Sequence, residues 1–550
     1  MPDHKAVSVA DVVGRTLAEL GVDLVFGVVG SGNFHVTNGL VAGGARFVAA
    51  RHEAGAATMA DAYARVSGRL GAVSVHQGCG LTNALTGITE AAKSRTPLLV
   101  LAAEAGSPTS NFFVHQNALA EAVGALPERV HSAETAAADT VRAWARAVHE
   151  RRTVVLSLPL DIQAAPGPAQ PAPELPLSPP TPAADQNTVD ELSRLLATAE
   201  RPVFIAGRGA RLAKARPALE RLGEACGALL ATSAVAKGFF RGNRWDLDVS
   251  GGFSTPLAAE LIAAADVVVA WGCSLTMWTT RHGRLIADGA ALVQVDSDPG
   301  AIGRQRPVRH AIVGDVLEVA VRTMAQLTGS RPVGYRTEEV ARRLAHERRW
   351  RDVPFEDTST PVRIDPRTLT IGLDDMLPGE RIVAVDSGNF MGYPSMFLDV
   401  PDDDGFCFTQ SFQSIGLGLA TAIGAALARP DRLSVAALGD GGALMSICEL
   451  DTVVRLGLPM VVVVYNDEAY GAEVHHFGPD GYPLDTVRFP ETDIAAIGRG
   501  FGCDARTVRT PADLDGVRRW LDGSRDRPLL VDAKVTEGPS WWLEEAFRGH

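Results

Sequence analysis

The chain has 550 residues, too many for one hydrophobic core, and length alone leads to an expectation of about three domains. Its 46% hydrophobic and 21% charged residues are typical of a soluble globular protein. A formal net charge of −13, with no basic run and no interleaving of aromatic and basic residues, speaks against a nucleic-acid partner. Six scattered cysteines (79, 226, 273, 407, 448 and 503) form no CxxC pair and no metal-ligand spacing, so reduced thiols in a cytoplasmic protein are expected. The stretch MPDHKAVSVADVVGRTL lacks the apolar core of a signal peptide. No apolar run reaches the roughly 18 residues of a membrane span, so no membrane partner is expected.

Residues 7–160 alternate helical and short apolar segments, giving a first unit over 1–165. Residues 9–20 have helical spacing, 24–29 and 47–50 read as strands, and 54–65 as a helix. Strands at 72–75, 97–102 and 154–158 complete the set. Such alternation builds a parallel sheet with helices on both faces. Arg51-His52-Glu53 follows a strand and opens a helix, where a first-turn Glu is favoured by the helix dipole. Residues 27–34 and 75–83 also follow strands and are expected to line one cleft.

Eight prolines between Pro166 and Pro182 exclude helix and central strand, so 166–187 reads as an extended linker. A second α/β unit spans 188–330, with strands at 202–206, 267–271 and 291–295. Gly207-Arg208-Gly209-Ala210-Arg211 is a glycine turn without a full dinucleotide fingerprint. A connector, 331–363, carries a charged surface helix over 338–352. The third unit, 364–550, has strands at 382–385, 435–438, 460–465 and 529–531. The expected fold class is α/β, with three doubly wound parallel-sheet domains.

The most informative residues lie in the third unit. Strand 435–438 runs into Leu438-Gly439-Asp440-Gly441-Gly442, with a helix expected over 443–456. Strand 460–465 ends at Asn466-Asp467, twenty-six residues after Asp440. Asp440 and Asn466 thus stand at strand C-terminal ends, the edge where open α/β sheets bind ligands. A carboxylate and an amide oxygen beside a glycine turn and a helix N-terminus can hold a hard divalent cation and a diphosphate. The turn alone also reads as an ordinary strand–turn–helix with a capping Asp. The paired strands and the second ligand favour the cation.

This pattern resembles the thiamine diphosphate motif, a GDG turn followed by an Asn pair, with Asp467 where a second Asn is usual. The resemblance covers nearly the whole chain and matches the three-domain arrangement of the pyruvate decarboxylase and acetolactate synthase superfamily. It implies a pyrimidine-binding first domain, a central domain and a diphosphate-binding third domain. Mg²⁺ would be ligated by Asp440, the Asn466 side chain and the Glu468 backbone carbonyl, with Gly439, Gly441 and Gly442 around the diphosphate. Glu53, in HEAGAATMADAYAR, takes the position of a Glu that hydrogen-bonds the cofactor's aminopyrimidine. Gln413 opens QSIGLG, whose Ile415 takes the position of a wedge between the cofactor's rings. Asn389, in DSGN, would border the pyrimidine or the substrate. Glu53 and the diphosphate site would meet across a subunit interface, which makes a homodimer the minimum unit, with tetramers common.

The implied substrate is a 2-oxo acid that loses CO₂, the product then being captured by a second carbonyl or by a proton. VHQGCGLTNALTG resembles the acetolactate synthase stretch Gly-Pro-Gly-x-Thr-Asn, with Cys79 in place of Pro. Together with the central domain it favours a carboligase using a carbonyl acceptor. His76, His115 and Gln116 are candidate substrate contacts, the last two in a loop where acetolactate synthases carry Phe-Gln and yeast-type decarboxylases His-His. Each also reads as a surface or packing residue. Glu473, seven residues past Asn466, matches a proton-handling Glu of pyruvate decarboxylase-type enzymes, though it reads equally as a solvent-facing helical Glu. A non-oxidative decarboxylase releasing an aldehyde is therefore the alternative, and a non-catalytic cofactor-binding subunit a third reading. Residues 232–238, 272–281 and 295–299 resemble segments that hold FAD in acetolactate synthases and pyruvate oxidases, so FAD is a further candidate cofactor. In other members the central domain is empty or binds a nucleotide-like regulator. Trp541-Trp542 reads as part of a lid or as packing.

Overall fold

The computed structural model describes residues 7–167, 183–327, 334–538 and 542, so most of the expected proline-rich linker lies outside the described residues. Short β-branched runs such as Met460–Asn466, buried along their whole length, are covered by helices on both faces. The result is three sheets of six strands each. Every pairing within them is parallel.

From edge to edge the first sheet reads Arg46–Ala49, Leu24–Gly27, Gly71–Val75, Leu98–Glu104, Thr153–Pro159 and Leu126–Arg129. The third reads Phe406–Phe408, Arg381–Val385, Leu433–Gly439, Met460–Asn466, Leu529–Lys534 and Asp504–Val508. Numbered by chain order within each sheet, both run 2-1-3-4-6-5. The central sheet has a different winding, with His310–Val313, Ala291–Asp296, Val267–Trp271, Pro202–Ala206, Leu229–Thr232 and Asp246–Val249 side by side. Each sheet has an inner point at which the strand order switches direction, and a crevice opens beyond the strand ends there. The reversals fall between Leu24–Gly27 and Gly71–Val75, between Pro202–Ala206 and Val267–Trp271, and between Arg381–Val385 and Leu433–Gly439.

Two helices join the first and third units. Glu53–Ser67 packs on Gly418–Ala428, and both are rich in alanine on the buried side. Gly424 allows the close approach: a Cβ there would stand 2.1 Å from the Met59 carbonyl oxygen. One continuous apolar core therefore runs through both units. Beside it Arg65 pairs with the fully buried Asp61 and Glu90 at 2.8 and 2.7 Å. Glu90 also accepts the Ser411 and Phe412 amides of the third unit at 3.0 and 2.6 Å.

The expected 443–456 helix is interrupted. It begins earlier, as Asp440–Ser446, tightens into a 3₁₀ turn at Ile447–Glu449 and resumes as Leu450–Arg455. The charged connector forms Glu338–Glu347, followed by a separate 3₁₀ turn at Trp350–Asp352.

Candidate active site

Leu433–Gly439 ends at the reversal of the third sheet and delivers Asp440 as the first residue of a helix. Its neighbour Met460–Asn466 delivers Asn466 to the same edge. The Asn466 amide nitrogen donates to Asp532 Oδ1 at 2.8 Å. A carboxylate can only accept, so this bond fixes which way the amide faces. The Asn466 Oδ1 atom is left buried without a partner. An oriented, desolvated oxygen of this kind is what a hard cation coordinates, and an unsatisfied acceptor otherwise carries a penalty of about 1–3 kcal/mol.

Two carboxylates stand beside it. Asp440 and Asp467 lie close together, and burial raises both above the usual carboxylate range, with the charge of Asp440 adding to the shift on Asp467. Two acids in such contact require a shared proton or a cation between them. Glu468 follows with φ +60, in the left-handed region. Its carbonyl accepts the Phe489 amide at 2.8 Å, leaving one lone pair, and its carboxylate pairs with Arg363 at 2.7 Å.

The glycine turn is closed in by side chains. A Cβ on Gly442 would lie 2.3 Å from Asp386 Oδ2. The buried Asp386 carboxylate accepts the Ser387, Gly416 and Leu417 amides at 2.9, 3.0 and 3.1 Å. It thereby fastens the turn that carries Gln413, with φ +63, and Ile415. Ile415, Asn389, Gly439, Asp440, Gly441, Gly442, Asp467 and Glu473 all line one cavity of about 2770 Å³. That cavity extends to the crevice of the central sheet, along Gly209, Gly272, Ser274, Asp296 and Asp298.

Glu53, His76 and Gln116 are not among its lining residues. Glu53 opens its helix behind the cap His52, whose Nδ1 accepts the Ala54 amide at 3.1 Å. Asn83 Nδ2 donates to Glu53 Oε2 at 3.1 Å, which joins the 75–83 segment to Glu53. His76 is half-buried, accepts the Gly32 amide at 3.1 Å through Nδ1 and meets the Phe112 ring edge-on at 5.1 Å. Gln116 is used inside the first sheet instead: Nε2 donates to the Ala103 carbonyl at 2.6 Å and Oε1 accepts from Ser157 at 2.9 Å. His115 caps the helix that Gln116 begins and lies against Phe113 at 5.2 Å. Trp542 is an anchor and not a lid, because its buried indole donates to the Asn389 carbonyl at 2.9 Å.

Comparison with known proteins matches all three units. Residues 7–126 match the model of the thiamine pyrophosphate enzyme N-terminal TPP binding domain, 189–323 that of the central domain, and 386–533 that of the C-terminal TPP binding domain. A probable 2-ketoarginine decarboxylase of Pseudomonas aeruginosa is 31% identical over 95% of this chain and 92% of its own length. The chain belongs to the thiamine pyrophosphate enzyme family. Within it, the sulfoacetaldehyde acetyltransferase of Castellaniella defragrans is 28% identical over 94% of this chain and 91% of its own. The large subunit of acetolactate synthase isozyme 2 of Escherichia coli is 26% identical over 97% and 96%. The chain is thus a thiamine diphosphate-dependent enzyme of the acetolactate synthase type, in a group whose members carry synthase, acetyltransferase and decarboxylase names.

Two residues of this thiamine pyrophosphate enzyme's site escaped sequence reading. Asp532, which orients Asn466, sits inside an apolar strand with no motif around it. Glu449 holds the backbone before Glu53 from almost 400 positions away. Neither carries a local pattern; only the pairing of elements distant in sequence brings them to the site.

Proposed function

We propose that this enzyme decarboxylates a 2-oxo acid and releases the product after protonation, with thiamine diphosphate held through Mg²⁺. The observation that carries the reading is the shared cavity, in which Glu473 faces the same space as Ile415 and the glycine turn. Bound thiamine diphosphate supplies the nucleophilic carbon and the electron sink that a 2-oxo acid needs to lose CO₂. Asp440, Asn466 Oδ1 and the Glu468 carbonyl would ligate Mg²⁺; the unpartnered Asn466 oxygen and the crowded carboxylates fit that cation. Ile415 would support the rings. Glu53, from the partner copy of a homodimer, would hold and move the proton of the aminopyrimidine nitrogen, its carboxylate steadied by Asn83.

Glu473 is half-buried and its carboxylate has no hydrogen-bond or ion-pair partner among the described residues. With the cofactor bound, Glu473 would supply the proton that releases the product. Gln116, spent on the sheet, has no part in this reading, and His76 stays a candidate substrate contact beside Phe112. Carboligation onto a carbonyl acceptor is the second reading, favoured by the similarity to acetolactate synthases and acetyltransferases. The test is the product formed from a panel of 2-oxo acids. Free aldehyde, replaced by carboligation product in Glu473→Gln, supports protonation by Glu473; carboligation product alone from the native enzyme contradicts it.

FAD is the candidate ligand of the central crevice. Arg208 is half-buried there without an acidic partner among the described residues, and burial, assisted by Arg65 and Arg151, lowers its pKa to about 9. An anionic diphosphate would relieve that desolvated charge. Flavin absorbance in the purified protein, lost in Arg208→Ala, is expected; a flavin-free protein contradicts FAD. Among the described residues no helix is long and apolar enough to cross a membrane.

A further inference from the structure

The turn that presents Glu53 is held by a residue of the other end of the chain. Glu449 is fully buried, and its Oε1 accepts the backbone amides of Arg51 and His52, both at 3.0 Å. Its Oε2 accepts the Thr452 hydroxyl at 2.6 Å, so both oxygens are engaged. Gly55 leaves room for the contact, since a Cβ there would stand 2.5 Å from Oε1. The same segment binds again on either side: Asp451 pairs with Arg51 at 2.6 Å, and Arg455 donates to the Ala49 carbonyl. Three residues of 449–455 therefore clamp the strand end and turn over 49–52.

We infer that Glu449 is a positioning residue for Glu53 of its own chain, and so acts on the cofactor bound by the partner subunit. The inference rests on the proposed reading in which each site combines Glu53 of one subunit with Asp440 of the other. Charge-assisted bonds from a buried carboxylate to two successive amides fix a turn more firmly than neutral ones. A catalytic group displaced by about 1 Å can lose on the order of 100-fold in rate. Glu449 follows the helix opened by Asp440, through the 3₁₀ turn Ile447–Glu449. A role toward its own subunit's cofactor side is thus the competing account, and the two differ in which subunit must carry Glu449.

Hybrid dimers separate them. Two chains with different tags are co-expressed and the mixed dimers isolated. Glu53→Gln paired with Asp440→Ala is the control, because it leaves one complete site. An inactive control overturns the shared-site reading itself, and the inference with it. With an active control, Asp440→Ala paired with Glu449→Ala is expected to match it, since the Asp440→Ala chain supplies an intact Glu53 turn. Glu53→Gln paired with Glu449→Ala is expected to fall about 100-fold below it. The reverse pattern, or loss in both hybrids, overturns the inference. A second readout uses the cofactor-free protein: amide hydrogen exchange over residues 50–56 is expected to speed up in Glu449→Ala. It should stay near the native rate in Glu449→Gln, which keeps an acceptor oxygen. Unchanged exchange in Glu449→Ala overturns the inference even if that variant is inactive.

Discussion

At the residue scale, the proposed cation site would depend on groups that do not touch the cation. Asp532 turns the Asn466 amide so that its oxygen is free, the role that outer hydrogen bonds play at many metal sites. Asp532→Ala should lower apparent Mg²⁺ affinity about 10–100-fold, read by titrating Mg²⁺ against thiamine diphosphate binding. An unchanged titration contradicts the role. Asp467 gives a pH test. Its unfolded value is near 3.8, and burial with the Asp440 charge raises the folded one, so between the two the metal-free fold holds a proton that the unfolded chain has released. Stability therefore falls as pH rises through that interval. Asp467→Asn should flatten the slope, raising the thermal midpoint at mildly alkaline pH and hardly at all at mildly acidic pH; a parallel slope contradicts it. The motif residues could be proposed from sequence because a cation and a diphosphate demand particular chemical types close together in sequence. Asp532 and Glu449 could not, because a buried carboxylate that meets distant backbone or amide groups leaves no spacing to read. Gln116 shows the converse: a polar residue in a suggestive loop, used up by the Ala103 carbonyl and Ser157.

At the element scale, most inner strands were legible and most edge strands were not, the edge strand Arg46–Ala49 being one that was read from sequence. Val267–Trp271 and Met460–Asn466 are buried throughout and read as unbroken apolar runs. Leu126–Arg129, His310–Val313 and Asp504–Val508 lie at sheet edges and mix polar with apolar residues, so no period marks them. Leu229–Thr232 is the exception, a buried inner strand of only four residues. The helix after the glycine turn breaks at Ile447–Glu449, where the tightened turn brings Glu449 to the Arg51 and His52 amides. Between the first and third units, the separation of two helices is set by one missing side chain. Gly424→Ala would drive a methyl group to 2.1 Å from the Met59 carbonyl oxygen, so the helices must part. Overpacking of this kind costs about 1–3 kcal/mol, despite the gain in helix propensity. Chemical denaturation should show that loss, and a variant as stable as the native protein would contradict the close contact.

At the scale of the whole molecule, the first and third sheets share one topology and the central sheet has another, and each contains a reversal of winding. Length and the alternation of helix and strand made the three units legible. Their sharing of one core did not show in sequence, because the alanine-rich helices that meet there look like any buried helix. The proposed chemistry is divided between the outer units: the third anchors the diphosphate through Asp440 and Asn466, and the first contributes Glu53 to a neighbouring copy. Hydrogen–deuterium exchange at the thiazolium carbon of bound thiamine diphosphate tests this division most directly. Glu53→Gln is expected to bind the Mg²⁺–cofactor pair as the native enzyme does while slowing the exchange at least about 100-fold, the usual contribution of a positioned acid or base. Exchange at the native rate, with the cofactor fully bound, would contradict the account.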